Sequence, residues 1–308
     1  MKSTALRFFL GLSLSLVVLE SQPTEAQEIT ELQADLSEML DVYSWRDARW
    51  GVLVVSLDQS DTLFSKSPDS ALSPASNVKL LTTAAALRIL GPDFRFQTYL
   101  LSDSDIANDV LQGDLVLYGT GDPGISDLLF QEREYVLELL ADQLEDSGIK
   151  TVRGDLVADA SHLPGPLRPY SWDPTDLNDH FAAPVSALSF NENVVSFRVA
   201  SSGRAGSRPE VHTIPENAGL DVRNLAITSP RGTRPHLAIL REYPSNPIRI
   251  EGGIALGARD AWRQMTVSSP PHFTASVFRN VLLERGIRIL GDIRVVRSPQ
   301  NSILTTIT

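Results

Sequence analysis

The sequence predicts a mixed α/β (α+β) protein, and three observations carry that prediction. Segments of helical character occur four times along the chain, short β-rich runs bounded by Gly, Pro, Asn and Asp lie between them, and a unit of helix, Gly-Ile, Gly-Asp and strand occurs twice. The 308 residues, 42% apolar and 21% charged, suffice for about two domains of roughly 150 residues, each able to bury a core. Disorder, collagen-like repeats and coiled coil are excluded by the same composition.

The elements follow in order. Lys2 and Arg7 flank an apolar run from Phe8 to Leu19, and Thr24-Glu25-Ala26 offers a small-residue cleavage site, the pattern of a secretory signal over residues 1–26. The run is about 12 residues, against the roughly 20 a spanning helix needs. An uncleaved signal would leave the protein membrane-associated. From Glu28 to Tyr43, Ile29, Leu32, Leu36, Met39, Leu40 and Tyr43 recur at three and four, which predicts an amphipathic helix laid on a sheet. Residues 50–57 and 62–64 are β-rich runs around the polar turn Asp58-Gln59-Ser60-Asp61, a hairpin. Residues 77–90 are apolar on every side after Lys79 and closed by Gly91-Pro92, which predicts a buried helix with a Gly-Pro stop. Short strands follow, including residues 94–101 and 113–118, then a turn at Gly119-Thr120-Gly121-Asp122-Pro123-Gly124. The two repeated units place helices near 132–144 and 273–283 before strands at Gly154-Asp155-Leu156-Val157 and Gly291-Asp292-Ile293-Arg294-Val295. Between them, residues 194–254 are β-patterned and rich in Arg, Pro and Gly, like an insertion.

Several chemistries are excluded. The sequence has no cysteine, hence no thiolate metal site, iron–sulfur cluster or Cys nucleophile. A formal charge of −11 and only four lysines argue against nucleic-acid binding. His162, His180, His212, His236 and His272 are scattered, without metal-ligand spacing. Arg231, Arg234, Arg241 and Arg249 read as a solvated face of the insertion, and Asp122, Asn191 and Asn193 as turn or capping residues.

Ser76-Asn77-Val78-Lys79 is the sharpest candidate. On a helix, positions i and i+3 share a face, so the hydroxyl and the amine can meet. A serine hydroxyl becomes a nucleophile when a base takes its proton, and a lysine serves as that base when burial and nearby positive charge keep it neutral. The apolar helix is expected to supply the burial. Placing Ser76 in the first turn also puts its backbone N–H among the unpaired donors of a helix N-terminus, aimed at a developing oxyanion. The alternative assigns Ser76 to an N-cap and Lys79 to solvent.

The segment Ser73-Pro74-Ala75-Ser76-Asn77-Val78-Lys79-Leu80 to Leu87 resembles the active-site segment of the D-alanyl-D-alanine carboxypeptidase/endopeptidase family, the class C low-molecular-mass penicillin-binding proteins. Gly113-Asp114-Leu115 with Gly119-Thr120-Gly121-Asp122-Pro123, and the stretch from Ala182 to Asn193, agree with it in order. The resemblance implies a transpeptidase-like α/β domain with β-rich domains inserted after the nucleophile helix. It implies acyl transfer on peptidoglycan stem peptides, with Ser76 as nucleophile and Lys79 as general base, β-lactams as acylating inhibitors, a secreted or periplasmic location, and no metal or organic cofactor.

That family completes its site with Ser-x-Asn and Lys-Thr-Gly. No Lys-Thr-Gly occurs in these residues, no lysine follows Lys150, and Ser189-Phe190-Asn191 matches Ser-x-Asn only inside the insertion-like stretch. The expectation is a partial transpeptidase-like domain over residues 27–91, inserted domains over 92–265 and an incomplete return over 266–308. The rival reading is a non-enzymatic peptidoglycan-binding or scaffolding homologue with a lost site. A β-lactamase sharing Ser-x-x-Lys is disfavoured, because that fold lacks so long an insertion.

Overall fold

The computed structural model describes residues 25–45, 47–216, 218–241, 247–299 and 305–307, and divides the chain into units at 1–93 and 94–308. The expected signal segment lies outside the described residues up to Thr24.

The first unit runs α1 (Glu25–Leu40), β1 (Val52–Val55), β2 (Thr62–Lys66) and α2 (Val78–Leu90). The polar turn at 58–61 closes β1 on β2 as an antiparallel pair with Val54 opposite Phe64. Half-buried Ile29, Leu36 and Leu40 lie on one side of α1, and Gln33 Nε2 donates to Leu63 O at 2.7 Å, so the helix rests on β2 as its period predicts. Gly91, at φ +83°, stops α2 and returns its N–H to Leu87 O.

The expected burial of α2 is not found. No residue of α2 is buried, and Leu80, Leu81 and Ile89 are each more than 70% exposed. An apolar sequence makes burial favourable but does not supply the covering layer, and among the described residues of this unit Phe64 alone is a buried apolar side chain.

The second unit opens with β3 (Thr98–Ser102), β4 (Ile106–Ala107), β5 (Val110–Leu111), β6 (Leu115–Gly119), α3 (Tyr135–Asp146), β7 (Thr151–Val152) and β8 (Leu156–Asp159). The insertion-like stretch supplies β9 (Val194–Ala200), β10 (Glu210–Ile214), β11 (Val222–Asn224), β12 (Ile227–Ser229), β13 (Ala238–Leu240), β14 (Ile248–Glu251) and β15 (Gly253–Ala255). Then come β16 (Ala261–Thr266), α4 (Pro270–Glu284), β17 (Arg288–Ile289), β18 (Ile293–Val296) and β19 (Thr305–Thr306).

The two predicted helix-to-strand units lie side by side. One sheet has the order β18-β8-β6-β3-β19 and another β17-β7-β5-β4, with β18, β8 and β6 mutually parallel and β17, β7 and β5 likewise. Leu137, Leu140, Ala141 and Leu144 of α3, with Phe273, Val277, Phe278 and Leu282 of α4, join Leu115, Leu117, Leu156 and Ala158 in one core. Residues 266–296, expected to lead back toward the first domain, instead add α4, β17 and β18 to this unit, because their β-strands pair with β7 and β8.

Strands change sheet at a Gly-Asp corner, and the described residues hold three of them, at Gly113-Asp114, Gly154-Asp155 and Gly291-Asp292. Asp114 Oδ1 accepts the Asp155 N–H at 2.8 Å, and Asp155 Oδ1 accepts the Asp292 N–H at 2.9 Å. The glycines permit this stacking: a Cβ on Gly154 would lie 2.6 Å from Gly113 C, and one on Gly291 2.5 Å from Gly154 O.

One arginine of the presumed solvated face is misplaced by the sequence reading. Arg241 is buried, and its Nη2 donates to Thr266 Oγ1 at 3.1 Å, as Arg168 Nη2 does at 3.2 Å. The Thr266 hydroxyl donates in turn to Leu177 O at 2.8 Å. These bonds tie the long segment 160–193 to β16.

Candidate active site

Ser76 and Lys79 sit where a short 3-10 turn, Ala75–Asn77, runs into α2. Pro74 is in the right-handed helical region, its carbonyl takes the Asn77 N–H at 2.8 Å, and Val78 N–H bonds back to Ala75 O and Ser76 O. Ala75 has φ +42°, a left-handed conformation that costs a residue with a Cβ roughly 1–2 kcal/mol. The strain falls on the residue immediately before Ser76.

Neither the turn nor α2 has a side-chain cap. The Ser76 hydroxyl is thus not engaged as an N-cap, and Lys79 Nζ donates to Ser76 Oγ at 3.1 Å. The hydroxyls that follow turn away from this pair: Thr82 Oγ1 donates to Val78 O at 3.1 Å and Thr83 Oγ1 to Lys79 O at 2.8 Å. An amine in contact with a hydroxyl at this range is placed to exchange a proton with it.

Both side chains are exposed. The expectation that α2 buries Lys79 is therefore corrected, and the cause is the uncovered helix itself: the side chains flanking Lys79, Val78 and Leu80, stand in solvent as well.

The remaining sequence candidates serve the second unit. Asp122 Oδ1 accepts the Gly124 N–H at 2.8 Å, closing a tight turn. Asn191, Glu192 and Asn193 occupy successive left-handed positions at φ +49°, +50° and +59°. Buried Asn191 donates through Nδ2 to Val194 O at 2.7 Å, and Asn193 to Pro184 O at 2.9 Å and to Ser189 Oγ at 3.1 Å. The Ser189-Phe190-Asn191 match is thus part of a hydrogen-bonded corner. Among the described residues no cluster of His, Asp and Glu is placed to hold a metal ion. Ala75 is the feature at the site that the sequence reading missed, since nothing in an alanine announces a positive φ.

Comparison with known proteins bears on the chain as a whole. The chain matches the sequence profile of the D-Ala-D-Ala carboxypeptidase 3 (S13) family over residues 32–305. It is 30% identical over 271 residues to a D-alanyl-D-alanine carboxypeptidase of Actinomadura sp. (strain R39), covering 86% of this chain and 49% of that protein. It is 26% identical over 305 residues to D-alanyl-D-alanine carboxypeptidase DacB of Haemophilus influenzae, covering 98% and 59%. The fold is similar to the crystal structure of penicillin binding protein 4 (dacB) from Haemophilus influenzae, with a TM-score of 0.66 at 25% identity over 82% of this chain and 55% of that one. The 308 residues span 49% and 59% of the length of these two curated relatives.

Proposed function

Because the chain belongs to the D-Ala-D-Ala carboxypeptidase 3 (S13) family, we propose that it is a serine-type peptidase homologue acting on D-Ala-D-Ala-ended peptidoglycan stem peptides through an acyl-enzyme on Ser76. The observation that carries this reading is the 3.1 Å contact between Lys79 Nζ and Ser76 Oγ. In the proposed reaction Ser76 Oγ attacks the carbonyl of the penultimate D-alanine while Lys79 takes the hydroxyl proton. An ester forms, the C–N bond breaks, and the departing D-alanine amine receives that proton. Water then hydrolyses the ester. The backbone N–H of Ser76, in the first turn, stabilises the developing oxyanion. A β-lactam would enter by the same attack and remain as a stable ester.

The reading requires Lys79 to act as a base, and its exposed position means that the desolvation comes from what covers α2, bound substrate included. The signal-like pattern of residues 1–26 supports a location outside the cytoplasm, secreted or periplasmic. Among the described residues no helix is long and apolar enough to cross a membrane.

Incubation of the full chain with fluorescent penicillin, followed by peptide mapping, tests the proposal. Label on Ser76 that disappears in Ser76→Ala is the expected result. A folded protein that never acylates, or label that persists in Ser76→Ala, overturns it.

A further inference from the structure

The five-stranded sheet of the second unit has α3 and α4 on one face, and among the described residues of this unit no helix lies on the other. On that outer face Val116, Val157 and Val296 are nonetheless more than 90% buried, with half-buried Leu101 and Tyr118 packed against them. Strand register brings these positions together: Leu101 pairs with Val116, Val116 with Val157, and Tyr118 with Asp159. They floor a groove of about 340 Å³ whose rim includes Asp103, Asp114, Asp159 and Arg294.

Charges in the groove are unequal. Arg294 is committed, donating to Asp114 Oδ2 at 2.7 Å and standing 3.6 Å from Asp155 Oδ2. Asp159 accepts the Ser161 N–H at 2.8 Å and Asp103 accepts the Ser104 hydroxyl at 3.0 Å, and among the described residues neither carboxylate has a cationic partner. At one end Tyr118 lies 6.2 Å from the Tyr99 ring and edge-on to His162, whose Nδ1 is 3.0 Å from the Tyr118 hydroxyl. Burial, and after it the charge of Asp159, raise the pKa of Tyr118, so the carboxylate's field reaches that wall.

An apolar floor, an aromatic wall and two uncompensated carboxylates are complementary to an alkyl chain ending in a positive charge. The alkyl part lies along half-buried Leu101 and Tyr118 over the valine floor, and the ammonium meets Asp103 and Asp159 in a partly desolvated setting beside the Tyr118 ring. A groove of this size falls at the small end of ligand sites.

We propose that this groove binds the primary ammonium side chain of a lysine-type residue in a peptide. The site lies wholly in the second unit, so it stands or falls independently of acylation at Ser76.

The test titrates the ¹⁵N-labelled full chain with acetyl-Ala-Lys-Ala-amide and, separately, with the same peptide carrying norleucine in place of lysine. The lysine peptide is expected to bind with a Kd on the order of 1 mM, shifting groove amides such as Val116, Tyr118 and Val157. The norleucine peptide should bind about tenfold more weakly or less. The double variant Asp103→Asn/Asp159→Asn, in which both side-chain acceptors survive, should lose about tenfold for the lysine peptide, whereas Asp173→Asn outside the groove should lose nothing. Equal binding of the two peptides to the unaltered protein overturns the proposal without recourse to any variant. So does unchanged affinity in the double variant, or the absence of groove shifts at about 20 mM peptide.

Discussion

Asp114 Oδ1 accepts the backbone N–H of Asp155 at 2.8 Å, and this bond fixes the point where two parallel strand pairs leave one sheet and enter the next. The carboxylate takes the Asp155 N–H between two main-chain bonds that cross the corner, Gly154 N–H to Gly113 O at 3.0 Å and Leu115 N–H to Asp155 O at 2.9 Å. The close passage of Gly154 under Gly113 is the condition for it.

Gly154→Ala would place a Cβ 2.6 Å from Gly113 C and 2.7 Å from its carbonyl oxygen, and is expected to destabilise the second unit by about 1–3 kcal/mol. Asp114→Ala should cost about 1–2 kcal/mol through the lost acceptor. Asp114→Asn, which keeps the acceptor and loses only the half-exposed ion pair with Arg294, should cost under about 1 kcal/mol. Urea unfolding monitored by far-UV circular dichroism gives all three values, and an unchanged midpoint in Gly154→Ala would contradict the account of the corner.

These corners show where the sequence was legible. The helix-to-strand unit was visible at Gly154-Asp155 and Gly291-Asp292 because a helix and Gly-Ile precede each one. The copy at Gly113-Asp114 follows a strand hairpin instead, and the shared feature, one glycine backbone passing another, has no sequence period. The hairpin β1–β2 and the limits of α2 were readable from the polar turn at 58–61 and from Gly91-Pro92, both local signals. The i, i+3 meeting of Ser76 and Lys79 was readable for the same reason. Burial is not local. The composition of α2 promised it without specifying a partner, and the composition around Arg241 promised solvent where Thr266 and Asn178 in fact receive the side chain.

Thr266 is the test of that buried node. Its oxygen accepts from Arg168 and Arg241 and donates to Leu177 O, and the residue is fully buried. Thr266→Val removes an acceptor shared by two buried guanidinium groups and should cost about 2–4 kcal/mol. Thr266→Ser should recover most of it. Thermal unfolding of the two variants should separate them clearly, and a valine variant as stable as the serine one would show that the node contributes nothing.

Stability should also depend on pH through His272. Burial lowers its pKa from 6.5, favouring the neutral ring in the folded state, and Asp221 lines the same cavity beside it. The unfolded chain therefore binds a proton at this residue at a higher pH than the folded one. The contribution is fully present above 6.5 and is lost as pH falls from there through the folded pKa. Urea midpoints measured from pH 7.5 down to pH 5 should fall less steeply in His272→Gln than in the unaltered protein. Parallel slopes would show that His272 is not responsible.

Lys79→Arg separates proton transfer from charge. Arginine can reach the Ser76 hydroxyl but stays protonated, so acylation by penicillin should fall on the order of 100- to 10,000-fold. Both positions are exposed, and the substitution should leave stability within about 0.5 kcal/mol. Acylation rates from stopped-flow labelling, taken with unfolding curves, decide it; an arginine variant that acylates at the original rate removes Lys79 from the role of base.

The exposed helix α2 makes the last prediction. Among the described residues of the first unit only Phe64 is a buried apolar side chain, whereas the second unit buries one face of each of its helices, α3 and α4, in a continuous core. Local opening follows buried apolar contact, so the first unit should open at lower free energy than the second. Limited proteolysis of the 308-residue chain should cut within residues 25–93 before it cuts within the β8 or α4 regions. The same surface should drive self-association, because Leu80, Leu81, Leu87 and Ile89 lie on one short helix and are all more than 60% exposed. Leu81→Lys with Ile89→Lys removes apolar area that contacts no core, so unfolding should shift by less than about 0.5 kcal/mol while sedimentation shows a smaller associated fraction. Protease resistance in the first unit equal to that of the second, together with a monomeric unaltered chain, would mean that α2 is covered in solution.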